Sequence, residues 1–220
     1  MRSIIAIGLL LATAGISLRA KAVEMIGVTT MTIDAPDRDR ALNVTLWYPA
    51  KAGGTSVRVG DNSVFEGVEG QQDAPIADGP FPIILVLHGG IRAAPNHSNW
   101  IGSRLAARGF VAAVVWGPTL GPCDAEIAMN EIWRRPADLS ATLSALENDP
   151  KWSGHLDHEK IGAVGFFLGG TSVLSLVGAK LDADQFVGSC DEGDLVRHRG
   201  RPRAFSRSAA TRTRRSRSRS

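Results

Sequence analysis

Six residues, Gly165-Phe166-Phe167-Leu168-Gly169-Gly170, follow the apolar run Ile161-Gly162-Ala163-Val164 and precede Thr171-Ser172-Val173-Leu174-Ser175-Leu176. An apolar strand that runs into glycines and then into a helix-forming stretch predicts strand, sharp turn, helix. Gly165 and Gly169 bracket position 167 with the spacing of the G-x-S-x-G turn that presents a nucleophilic serine. The residue at 167 is phenylalanine. A benzyl group has no lone pair and no labile proton, so it cannot attack a carbonyl.

A length of 220 residues suits one domain, and a hydrophobic fraction of 44% is enough for a real core. The formal charge of +3 is misleading as a property of the fold. Residues 197–220 hold ten arginines and no acidic residue, leaving 15 basic side chains against 22 acidic ones, a net of −7. The body is acidic, and no general attraction for nucleic acid follows from its charge. Cys123, Cys190 and five scattered histidines give no metal-ligand spacing, so neither a metal nor a cofactor is expected. A Cys123–Cys190 bridge in an oxidising compartment and two buried free thiols fit the sequence equally.

Taken in order, Met1-Arg2-Ser3, the apolar stretch from Ile4 to Leu18, and Ala20 and Ala22 around Lys21 have the form of a signal peptide over 1–22. The apolar stretch is shorter than the roughly 20 residues of a membrane span, so export to periplasm or exterior is expected, without a stable membrane span. Residues 23–33 and 41–48 read as two extended segments joined by the turn Asp34-Ala35-Pro36-Asp37, an antiparallel start to a sheet. Residues 50–80 read as one long surface loop. Phe81 to Leu87 and Phe110 to Trp116 are continuous apolar runs, expected as strands covered on both faces, with a helix from Trp100 to Arg108 between them. That is a βαβ unit. A helix follows Arg135-Pro136-Ala137-Asp138, with leucines at 139, 143 and 146 on one face, and stops at Asn148-Asp149-Pro150. Trp152 to Asp157 is a connecting loop, Lys160 to Gly165 the third buried strand, and a helix runs from Leu168 to about Gly178. Residues 191–220, almost without apolar side chains, are expected to be a disordered Arg/Ser-rich tail.

Leu46-Trp47-Tyr48-Pro49-Ala50, the strand ending in His88-Gly89-Gly90, Trp133-Arg134-Arg135-Pro136-Ala137-Asp138, and Ile161 through Gly170 together carry a family likeness. The chain resembles the secreted branch of the α/β-hydrolases that contains dienelactone-hydrolase-like and platelet-activating-factor-acetylhydrolase-like esterases. The resemblance covers roughly residues 24–190, within a partial α/β-hydrolase domain placed at 23–190. It implies an α/β-hydrolase-type, mostly parallel sheet with flanking helices, from which the C-terminal part of the fold is missing. It also implies hydrolysis of a small carboxylic ester or lactone.

Carried over by position, the nucleophile slot falls on Phe167, and the backbone N–H of Leu168 and that of Gly90 become the oxyanion donors. His88, Gly89 and Phe166 fall where substrate would bind. In this fold the acid and the histidine follow the nucleophile. After Gly170 the one histidine is His198, inside the Arg-rich segment. His97, His155 and His158 read as surface or loop residues, and Ser172 and Ser175 sit too far into the following helix to replace a nucleophile. The expectation is an ester hydrolase by ancestry that is catalytically incompetent as written. The alternative is a non-catalytic α/β protein that binds such a ligand. A basic tail without interleaved aromatics offers phosphates only electrostatics, and no nucleic-acid partner is expected. The abrupt change of composition is what a reading-frame change near residues 190–196 would produce.

Overall fold

The computed structural model describes residues 25–38, 40–89, 98–117, 132–180 and 182. The segment 1–22 expected to be a signal peptide, the segment 191–220 expected to be a tail with its suggested frame change, Cys123, Cys190, His97 and His198 lie outside the described residues. The residues described up to Ala179 belong to one unit; of the second, Lys180–Ser220, only Lys180 and Asp182 are described.

The chain opens with β1 (Met25–Ile33) and β2 (Leu42–Ala50), paired antiparallel from Met25↔Ala50 to Ile33↔Leu42. The Asp34–Asp37 turn joins them, closed by the Arg38 N–H donating to Ala35 O at 2.9 Å. Then come β5 (Phe81–Leu87), α1 (Asn99–Ala106) and β6 (Val111–Trp116). β5 and β6 run parallel from Ile83↔Val111 to Leu87↔Val115. Both strands are apolar without alternation because helices cover both sheet faces. Val111, Ala113 and Val115 point toward α2 (Arg135–Asn148), where Leu139 and Leu146 are buried. Ala112 and Val114 point the other way, into a cluster with Trp47 and Ala106 of α1. Side chains one residue apart in a strand face opposite sides, so each run serves two cores.

The expectation of a single loop over 50–80 is corrected by two strands, β3 (Thr55–Val59) and β4 (Val68–Gln72). They form an antiparallel hairpin, and β4 also pairs parallel with β1 at Gly27↔Gln71 and Val28↔Gln72. Gly70 alone of the ten hairpin residues is buried, while Val57, Val59 and Val68 are partly buried and pack against the Trp47 cluster. The alternation Val57-Arg58-Val59 is too short to stand out in a Gly- and Asp-rich stretch, and main-chain pairing sets the rest of the hairpin.

The expected third buried strand is also corrected. β7 (Leu156–Gly165) begins earlier, and its burial is partial, with Ile161 43% exposed. It lies at the end of the order β3-β4-β1-β2-β6-β5-β7, so among the described residues one strand neighbour covers it. Its pairing with β5 is parallel and shifts register between Pro82 and Ile83, setting three residues, 158–160, outside the ladder. α3 (Leu168–Leu176) follows directly.

Candidate functional site

From β5 the chain goes to β6 on one side, and from β6 it crosses to β7 on the other. The carboxyl end of β5 is therefore where the connections diverge, and in parallel sheets that is where ligands bind. Leu87, His88 and Gly89 stand there, and β7 brings Gly165 and Phe166 alongside, with the Phe166 N–H donating to Leu87 O at 3.3 Å.

Phe167 occupies the bend between β7 and α3 with φ 48° and ψ −117°. A residue with a side chain is rarely found there, and such backbone strain is characteristically stored at functional turns. Hydrogen bonds on either side over-determine the bend: the Gly169 N–H donates to Phe166 O at 2.7 Å and the Thr171 N–H to Phe167 O at 3.1 Å. Its glycines are there for clearance. A methyl group on Gly165 would strike the Gly169 carbonyl, and one on Gly169 would strike the carbonyls of Leu87 and His88. The benzyl side chain of Phe167 is 90% exposed, and Phe166 beside it is 40% exposed.

Leu168 is the first residue of α3, and the N–H groups of a first helical turn have no intrahelical acceptor. They also carry the positive end of the helix dipole. Gly89 comes up against the bend: a Cβ there would lie 2.7 Å from Phe167 Cδ2 and 2.9 Å from Phe166 O. Four of the six residues expected at the site, Gly89, Phe166, Phe167 and Leu168, are thus brought together. His88 belongs to the same turn by its backbone, but its side chain is buried at 4% exposure. Gly90 lies outside the described residues.

Ser172 is buried and donates its hydroxyl to Leu168 O at 2.9 Å, so its oxygen faces the helix backbone. His158 makes contacts away from the bend, 3.1 Å from Ser153 O and 3.6 Å from Glu147 Oε1. No cluster of His, Cys, Asp or Glu that could hold a metal occurs among the described residues. A groove of about 690 Å³ between α2 and the end of β1 is lined by Ile33, Asp34, Ala137, Ser140 and Ala141, among others. None of its lining residues comes from the bend or from the turn after β5.

The sequence did not disclose the buried charges behind the turn. Arg38 pairs with Asp138 through two bonds, Nε to Oδ1 at 2.5 Å and Nη2 to Oδ2 at 2.7 Å. Arg135, the first residue of α2, donates from Nη2 to the carbonyl of His88. Burial pushes the Arg135 pKa down; the Asp138 carboxylate opposes this and the Arg38 charge adds to it. The available signal was an Arg and an Asp at i and i+3 of a helix start. Nothing in the Pro36-Asp37-Arg38 turn marks Arg38 as buried.

A sheet with a parallel βαβ core, helices on both faces and a strained strand-to-helix bend at its divergence point defines an α/β-hydrolase-type fold. Among solved structures, the chain is similar to a ferulic acid esterase from Streptomyces cinnamoneus, with a TM-score of 0.58 and 22% identity, over 70% of this chain and 55% of that one. A dienelactone hydrolase-like promiscuous phosphotriesterase from metagenomic libraries gives 0.45 and 19%, over 69% and 54%. A dienelactone hydrolase from Anabaena variabilis gives 0.42 and 15%, over 69% and 57%. The chain thus spans about half the length of these structures. No family model and no curated protein matches it.

Proposed function

We propose that this chain is a dienelactone-hydrolase-like ester hydrolase by descent, exported, and unable to turn over esters as written. One observation carries the reading: the nucleophile bend is kept in its strained geometry, and a residue with no reactive atom stands on it. The Leu168 N–H and the Gly89 turn supply the setting in which an oxyanion would be stabilised, a contribution of about 10²–10³ in rate per donor. Losing a triad serine costs about 10⁶ in kcat, far beyond what those donors restore. The ligand would be a small carboxylic ester or lactone.

Hydrolysis of p-nitrophenyl acetate by the full chain and by Phe167→Ser tests this. No turnover above background is expected from the unmodified chain, because the phenylalanine at 167 has no atom that can attack a carbonyl, and Phe167→Ser is the matched comparison. Turnover by the unmodified chain would overturn the reading. A second reading, ligand binding without chemistry, is favoured by the exposed Phe166–Phe167 pair beside the helix N-terminus. Saturation-transfer NMR with p-nitrophenyl acetate in the same samples would show it as ring contacts that vanish in Phe167→Ala.

A further inference from the structure

Three consecutive residues at the end of β5 are each fastened differently. Leu87 O accepts from the Phe166 N–H, His88 O accepts from the Arg135 guanidinium, and Gly89 lies against Phe167. The middle fastening is the one that reaches outside the bend, into the start of α2. It is made by a side chain only 6% exposed, whose burial is tolerable because the Asp138 carboxylate offsets its charge. Asp138, 2% exposed, is in turn held by the two-bond pairing with Arg38. A planar guanidinium that stays charged and has several fixed donors suits a carbonyl that must be held in one place.

We propose that Arg135 is a positioning residue: through the His88 carbonyl it sets the His88–Gly89 turn against the bend at Phe167, with the Arg38–Asp138 pair as its buttress. The consequence for oxyanion binding rests on the reading given under Proposed function; the positional claim does not. The link is independent of the group at 167, so it operates in this chain although the nucleophile is absent.

Gly89 supplies the readout, because a proton beside an aromatic ring carries a ring-current shift. In ¹H–¹⁵N and ¹H–¹³C NMR spectra of the full chain, Phe167→Ala should displace the Gly89 resonances and so define their position without the ring. Arg135→Gln should move Gly89 most of the way to that position while core resonances such as those of Val44 and Leu146 stay put. Arg135→Lys, which keeps the charge but not the fork, should fall between. Gly89 unmoved in folded Arg135→Gln, or unmoved in Phe167→Ala, would overturn the proposal.

Should Arg135→Gln fail to fold, the wild-type protein decides. Its Arg135 Nη protons should exchange with water much more slowly than those of the exposed Arg104, and equal rates would overturn the proposal. A positive ester assay would sink the catalytic silence alone. A static Gly89 would sink the positioning role alone.

Discussion

At the scale of the residue, Phe167 combines a costly backbone with a side chain that touches little. Holding a non-glycine residue at φ 48° and ψ −117° costs of the order of 1–3 kcal/mol, and a 90% exposed ring returns little of it by burial. Phe167→Gly relieves the strain and gives back roughly 0.5–1 kcal/mol in chain entropy. The expected outcome is a gain of about 1 kcal/mol in urea unfolding. Gly169→Ala should do the reverse, losing about 1–3 kcal/mol or more, because the added methyl meets backbone carbonyls that cannot turn aside. A Gly169→Ala protein as stable as wild type would mean that the bend is not built as described. This part of the site was legible in the sequence, since glycine spacing records steric necessity. Which way the Phe167 ring faces was not, because exposure depends on what the rest of the chain leaves uncovered.

At the scale of the element, the start of α2 holds two buried guanidinium groups around one carboxylate. Asp138→Asn removes the carboxylate that pairs with Arg38 and offsets the charge of Arg135, and should cost about 3–5 kcal/mol of stability. Arg38→Met leaves Asp138 still opposite Arg135 and should cost less. Urea midpoints of the two variants check the ordering, and a larger loss for Arg38→Met would contradict the charge arrangement. The helix itself could be read from Leu139, Leu143 and Leu146, because helical spacing of apolar residues reports burial directly. The ion pair could not. Arg38 and Asp138 are 100 residues apart, and a charge in a turn or at a helix start looks in sequence like a solvated one. The β3–β4 hairpin escaped for the opposite reason: main-chain pairing holds it, with few buried side chains to leave a pattern.

At the scale of the whole molecule, the central strand β2 ties both cores and carries the one tyrosine. Tyr48 is buried, donates its hydroxyl to Ala74 O at 2.8 Å, and packs edge-on against Trp152 with ring centroids 5.0 Å apart. Burial, with the Asp73 charge adding to it, pushes its pKa up to about 12 from 10.0. The folded protein therefore keeps this proton after the unfolded chain has released it. Unfolding free energy should be indifferent to this group below about pH 10 and should fall as pH rises toward 12. Tyr48→Phe should lack that part of the alkaline slope, as measured by urea unfolding from pH 8 to 12. The open side of β7 is a second global property. Among the described residues, Ile161–Gly165 has no strand partner on its outer side, and Leu174 of α3 and Val177 just after it are exposed, the condition for edge-to-edge association. Ile161→Lys should lower the concentration-dependent light scattering of the protein. Equal scattering would show that this edge is not what associates.

The bend at Phe167 has a practical corollary. Its backbone is set by glycines and carbonyls behind it, and its side chain stands in solvent. Whatever amino acid is placed at 167 inherits a fixed, outward presentation beside the His88–Gly89 turn. The position is a ready attachment post: a cysteine introduced there would accept a fluorophore or spin label whose signal follows the distance between bend and turn.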